Sequence, residues 1–262
     1  MKQTDYSYTR SLMVFALFLL WSFATANAQQ GSLFETGNEL YNQGEYQAAI
    51  DTYKEILAAG EHSPEVYFNM GNAYYKMDRI APSILYYEKA LFLDPDDEDV
   101  KVNLAYARNM TIDDIDALPK TGFAKLTRGL LGAFTYSVWS YLAIVGMLLF
   151  VLFFIGYYFA DREGRKRLLF AISGGWVFLS LLCLLFAFQQ RKWERNYDPA
   201  IVFASETTVK SEPNLGSDEI FRLHEGTKVF ILDAMHDWKK IRLADGKEGW
   251  LPAEELQRIK DF

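Results

Sequence analysis

The chain of 262 residues contains a single cysteine, Cys183, three histidines and seven prolines. One thiol excludes an internal disulfide framework. His62, His224 and His236 are too scattered for metal-ligand spacing, and no metal site is expected. His236-Asp237 is adjacent in sequence but reads as a turn, and a triad needs a nucleophile in a formed pocket. Cys183 falls inside a long apolar run, where no base reaches it. Gly174-Gly175 has no following Lys-Ser/Thr, so a phosphate loop is missing. Basic residues are the minority charge, 27 Lys and Arg against 34 Asp and Glu, net −7. That balance argues against a nucleic-acid partner, since phosphate contacts depend on Lys and Arg. No catalytic residue and no cofactor is expected. Hydrophobic residues make up 50% of the chain and aromatics 16%, too many for a disordered polymer.

The apolar residues are concentrated in three runs. The first begins with Lys2 and Arg10, continues through an apolar stretch to Phe23 and ends in Ala26-Asn27-Ala28. A basic start, a short apolar core and an A-x-A site are the marks of a signal peptide over residues 1–28. Val138–Phe159 and Leu168–Phe188 are runs of 22 and 21 residues without a charge. At about 1.5 Å per residue the first reaches about 33 Å, enough to cross a bilayer. Tyr136, Trp139, Tyr157, Tyr158 and Trp193 sit at the run ends, as interfacial aromatics do. No Asp, Glu, His, Lys or Arg lies within either run, so a proton or ion relay has no carrier. The short basic stretch 161–167 between them favours a cytoplasmic loop. With export of the N-terminal segment, both soluble parts then face the periplasm from the bacterial inner membrane. Charge partitions accordingly: residues 29–120 carry net −10, residues 121–195 net +6 and residues 196–262 net −4. The basic membrane unit suits contact with anionic lipid.

Residues 32–110 repeat with a period of 34. Gly37-Asn38 recurs as Gly71-Asn72, and Tyr53 as Tyr87. The second copy reads Tyr67-x₂-Met70-Gly71-x₂-Tyr74, then Ser83-x₃-Tyr87-x₂-Ala90, then Asp94-Pro95. The first reads Leu33-x₂-Thr36-Gly37-x₂-Leu40, then Ala49-x₃-Tyr53. This segment resembles a tetratricopeptide-repeat domain, in which small residues let paired helices pack closely and the hairpins stack. Glu61 replaces the usual proline of the first copy, and Ser63-Pro64 supplies a helix start instead. Residues 98–110 continue helically and cap the stack. The family binds peptides in the groove lined by each first helix. Helical spacing puts Phe34, Asn38 and Tyr41 on that face, then Asn69, Asn72, Tyr75 and Lys76, then Asn103 and Tyr106. Asparagine amides can meet an extended backbone at both N–H and C=O. Against the family's carboxylate-clamp subtype, Asn38 and Asn69 match the asparagine positions. Phe34, Asp99 and Asn103 stand at the basic ones, which argues against capture of a C-terminal carboxylate.

Beyond Tyr197, short alternating stretches separated by turn residues point to small β-structure. The expected strands are 201–204, 207–210, 228–232, 238–242 and 247–251, with Asp245-Gly246 as a hairpin turn between the last two. TTVKSEPN, EGTKVFI and WKKIRLADGKEGWLP resemble bacterial SH3-like domains, with Gly226 in a turn and Trp238, Gly249 and Trp250 at hallmark positions. That resemblance implies an all-β barrel in which Trp238 and Trp250 form either a binding surface or core.

The order of segments gives a multidomain membrane protein: an all-α helical repeat, a two-helix transmembrane hairpin and a small all-β barrel. The expected boundaries are a signal peptide over 1–28, repeats over 29–118, a linker over 119–137 and spans over 138–159 and 168–188. A cytoplasmic loop over 160–167, a linker over 189–199 and the SH3-like domain over 200–262 complete it. This order is similar to that of the BatE-like aerotolerance-operon proteins of Bacteroidetes. The resemblance implies a non-catalytic scaffold in an envelope complex with von Willebrand factor A-domain membrane proteins and an AAA-type ATPase. The alternative is an accessory of wall turnover whose SH3-like module targets peptidoglycan. The spans contact membrane lipid, and Ala171-x-x-x-Gly175 offers a small-residue contact to a partner span.

Overall fold

A computed structural model describes residues 33–116, 118 and 122–262 of the chain. The expected signal peptide and its A-x-A tripeptide lie outside the described residues. Two compact units emerge. One joins the N-terminal helices to residues Pro199–Phe262, and the other comprises Ala117–Asp198.

The first unit begins with helical residues 33–42, here α1, followed by α2 (Tyr46–Ala58), α3 (Pro64–Lys76), α4 (Ile80–Leu93) and α5 (Glu98–Arg108). Ser63 caps α3 by accepting the Val66 N–H, with Pro64 in the first turn. Asp97 caps α5 by accepting from Val100 at 3.0 Å, and Glu98 and Asp99 add negative charge where the helix dipole favours it. The repeat period is set by close approach. A Cβ on Gly71 would lie 2.6 Å from the Tyr87 ring, and one on Gly37 would lie 2.4 Å from the Tyr53 ring. Ser83, wholly buried, donates to the Gly71 carbonyl at 2.9 Å, so α3 and α4 touch backbone to side chain.

The C-terminal part is an antiparallel all-β sheet of β1 (Pro199–Val202), β2 (Glu206–Lys210), β3 (Glu219–His224), β4 (Lys228–Met235), β5 (Trp238–Arg242), β6 (Glu248–Pro252) and β7 (Leu256–Arg258). The strand order is β3-β2-β6-β5-β4-β1-β7. Asp245-Gly246 forms the β5–β6 turn, with the Asp245 carboxylate accepting the Lys247 N–H at 3.0 Å. His236 and Asp237 form the β4–β5 turn. Val202, Val209, Leu223, Val229, Ile241 and Leu251 fill the interior. The sheet adds β3 and β7 to the five expected strands.

The repeats and the barrel share a core. Ile201 and Ile259 are buried among Tyr67, Ile84, Leu85, Val100 and Leu104. Around this apolar contact lie charges with little water. The Glu88 carboxylate, 7% exposed, takes Arg108 at 2.5 Å and Lys228 at 2.6 Å. Lys89, also 7% exposed, meets Asp261. Gly226, at φ +85°, brings the β3–β4 turn against Thr111 and Ile84, where a Cβ would lie 2.7 and 3.0 Å away. Asp113 closes the edge. Its carboxylate accepts the His224 backbone N–H at 2.7 Å and the Thr227 hydroxyl at 2.6 Å, and it pairs with His224 Nδ1 at 2.8 Å.

The second unit holds α6 (Gly122–Gly132), α7 (Tyr136–Phe159) and α8 (Glu163–Asn196). The two long helices are long and apolar enough to cross a membrane. Only residues 160–162 connect them, so Arg165, Lys166 and Arg167 lie in the opening turns of α8. They pack through small side chains. Ser180 donates to the Ala143 carbonyl at 2.6 Å, and a Cβ on Gly146 would stand 3.1 Å from that of Ser180. Cys183 and Ala187 continue the seam to Trp139. Ala171 and Gly175 face outward instead, and a Cβ on Gly175 would meet nothing within 4 Å.

Two substitutions test these contacts. Gly71→Ala forces a methyl into the Tyr87 ring and is expected to destabilise the first unit by about 1–3 kcal/mol, read as a lower unfolding midpoint. Gly175→Ala, with open space around it, leaves that midpoint unchanged. Burial pushes the Asp113 carboxyl up, but its hydrogen bonds from Thr227 and His224 together outweigh that and hold it below its ordinary value of 3.8. A depressed carboxylate stabilises the fold above its unfolded pKa, and the contribution disappears as pH falls through the folded value. Asp113→Ala is therefore expected to cost about 1–3 kcal/mol at pH 7 and progressively less below about pH 4, measured by denaturant titration.

Candidate functional site

The groove face is carried by α1, α3 and α5, the helices that begin each repeat. Here the structure builds the same polar array twice. Asn38 Oδ1 accepts from the Tyr53 hydroxyl at 2.7 Å and from Asn69 Nδ2 at 2.8 Å. One period later, Asn72 Oδ1 accepts from the Tyr87 hydroxyl at 2.7 Å and from Asn103 Nδ2 at 3.0 Å. Each bridge joins one first helix to the next. The four asparagines are half-buried, so one side of each carboxamide is held by the scaffold and the other can reach the groove.

The two tyrosines were not among the sequence candidates for this site. Their rings lie under Gly37 and Gly71, and their hydroxyls come up beside Asn38 and Asn72. Burial pushes the Tyr53 phenol up to about 12, ahead of the opposing hydrogen bond with Asn69. Burial also raises Tyr87. Both therefore stay protonated and act as donors. The sequence signal was available in their position, fifteen residues after each asparagine in both copies.

Among the described residues no hydrogen bond is made by Nδ2 of Asn38 or Asn72, nor by Oδ1 of Asn69 or Asn103. The array thus offers amide donors from one pair and carbonyl acceptors from the other, which matches both polar groups of a peptide unit. Tyr41 is half-buried and meets Tyr46 edge-on at 5.3 Å. Burial, then the neighbouring Tyr46, raises its phenol. Tyr75 is half-buried against the core that includes Ile84 and Leu85.

Trp238 and Trp250 lie apart from this array, in the barrel. The pairs Trp238↔Pro252 and Lys240↔Trp250 share one face of β5 and β6, while Ile241, Gly249 and Leu251 point inward. Both indoles are half-exposed and stand outside the buried cluster.

The chemistry-bearing residues are dispersed. His62 pairs with the Tyr67 hydroxyl at 2.6 Å and stacks on Phe262, His224 is held by Asp113, and Cys183 is buried between α7 and α8. Among the described residues no group of three His, Cys, Asp or Glu side chains converges as a metal site would require.

Comparison with known families agrees with this division. A TPR repeat model matches residues 37–78, a tetratricopeptide repeat model residues 64–97 and a bacterial SH3 domain model residues 205–257. No curated protein matches the chain. The chain thus carries tetratricopeptide repeats and a bacterial SH3 domain, modules of protein–protein interaction, on either side of two helices long and apolar enough to cross a membrane.

Proposed function

We propose that the protein is a non-catalytic membrane-anchored scaffold whose helical groove takes an extended segment of a partner protein. The observation that carries this reading is the repeated asparagine–tyrosine array, which fixes one side of each carboxamide and leaves the other for a ligand. The outward faces of α7 and α8 support a bilayer anchor, since Leu148, Leu152 and Leu185 are all more than 60% exposed. The sharing of a core by segments before and after the hairpin supports placing both on one side of the membrane, and two crossings satisfy that. With an export signal over residues 1–28, that side is the periplasm. In the aerotolerance-operon reading the partners are von Willebrand factor A-domain membrane proteins associated with an AAA-type ATPase.

Asn38→Asp with Asn72→Asp tests the groove without emptying it. Each carboxylate still accepts from the tyrosine and the neighbouring asparagine but loses its N–H donors and gains a charge. The double variant is expected to fold and to lose the von Willebrand factor A-domain partner by roughly tenfold or more in quantitative co-purification from native membranes. Recovery at the wild-type level removes the groove from the scaffold.

A second reading, a module that targets peptidoglycan, is favoured by one observation. Trp238, Trp250 and Pro252 form an outward apolar face beside Lys240, which suits a ligand with both apolar and acidic groups. On that reading the full-length protein sediments with purified wall, and Trp250→Ala reduces the bound fraction several-fold. A wild-type protein that stays in solution excludes it.

A further inference from the structure

At the end of the hairpin where the chain enters and leaves it, α6 folds against α8. Trp139 fixes this corner. Its indole Nε1 donates to the Leu131 carbonyl at 3.0 Å, and its ring meets Phe134 and Phe186 edge-on at 5.2 and 5.1 Å. The Arg128 guanidinium then stands 5.8 Å from the centre of the Trp193 ring. Arg191, Lys192 and Arg195 flank that tryptophan on α8 and are exposed. From 191 to 195 the helix rises only about 6 Å, while successive residues turn by about 100°. Arg191, Lys192 and Arg195 therefore fall within about 100° on one side of the helix, starting one turn beyond Ala187 of the packed seam, and Arg128 comes up at Trp193, about 100° further round than Lys192. Glu194 is the single acid among them.

The opposite end of the hairpin differs. Residues 161–167 hold four basic and two acidic side chains, and Arg167 lies 3.7 Å from Glu163. Among the described residues no cation there stands over an aromatic ring.

A single bound anion would need cations converging in an enclosed pocket. Here three exposed cations on one side of α8 and a fourth at Trp193 stand at one level, with apolar helix beyond, which fits a layer of negative headgroups. We propose that Arg128, Arg191, Lys192 and Arg195 form a collar that binds anionic phospholipid headgroups in the leaflet where the hairpin's two ends emerge. The inference rests on the hairpin crossing a bilayer. The collar fixes the depth of the helix ends, and Arg128 ties α6 to the same layer.

The test uses the full-length protein in mixed micelles with equimolar phosphatidylcholine and phosphatidylglycerol, read by native mass spectrometry. A basic residue near an anionic surface is worth roughly fivefold in affinity. The wild type is expected to retain phosphatidylglycerol over phosphatidylcholine by at least about that factor. Changing Arg128, Arg191, Lys192 and Arg195 together to Gln should abolish the preference. Changing Arg162, Arg165, Lys166 and Arg167 to Gln should leave most of it. If the fourfold collar variant does not accumulate, Arg128→Gln with Lys192→Gln should give a partial loss. No preference in the wild type, a collar variant that keeps it, or equal loss from both ends overturns the proposal. Carbonate extraction of native membranes separates the two readings. A protein that stays in the membrane without lipid preference loses only the collar, whereas one that is released loses the hairpin as well.

Discussion

The first unit depends on α4 being buried from two directions. Toward α3 it presents Ser83 and Tyr87, which close on Gly71 and Asn72. Toward the barrel it presents Ile84, Glu88 and Lys89, against Ile201, Lys228 and Asp261. Isolated charges at 7% exposure would be costly, because neither water nor a low-dielectric interior compensates them. Each is compensated here by a residue of the barrel. Lifting the barrel away would leave Lys89 without Asp261 and Glu88 with Arg108 alone, as well as exposing Ile201 and Ile259. The attachment is thus more than adjacency along the chain. It makes the repeats and the SH3 domain parts of one folding unit.

That constraint bears on where a ligand of the proposed scaffold can approach. The barrel packs on α4 together with Tyr67 of α3 and Val100 and Leu104 of α5, and the asparagine array on α1, α3 and α5 takes no part in that contact. It also bears on the proposed membrane anchor. A long apolar hairpin lies between two chain segments that share a core, and the connection therefore has to leave and return on one side. In the proposed scaffold that packing favours an even number of crossings, independently of the charge of the loop.

The repeats were legible because their physics is local and periodic: a glycine and the tyrosine that covers it recur at the same separation in both copies. The two long helices were legible from uninterrupted apolar runs. Their limits were less so, because α8 continues through Gln189, Gln190, Arg191 and Lys192, good helix formers that carry it beyond the last apolar residue. Of the sheet, β3 and β7 escaped notice. β3 is an edge strand with Glu219, Ile220 and Arg222 all exposed, and β7 is three residues long after a 3₁₀ turn. The joint between repeats and barrel had no local signature. Glu88 and Lys89 find partners 140 and 172 residues away, and in sequence they read as ordinary surface charges. The one available hint was that α4, IAPSILYYEKALFL, is apolar round its whole circumference, which a helix exposed on one side would not be.

The same asparagines serve architecture and, in the proposed groove, recognition, and the order of those roles matters. A carboxamide free on both sides could turn its oxygen or its nitrogen to a ligand with little preference. Asn38 and Asn72 lack that freedom, because their oxygens each receive two donors from the scaffold. Their nitrogens must then face away as donors. Asn69 and Asn103, having donated, are left with oxygens as acceptors. The direction of the array is set by Tyr53 and Tyr87, whose phenols burial keeps protonated, so the pattern does not invert at neutral pH. In the proposed scaffold an extended peptide would meet a surface whose donors and acceptors are already arranged, the ordering cost being met by the fold before the ligand arrives.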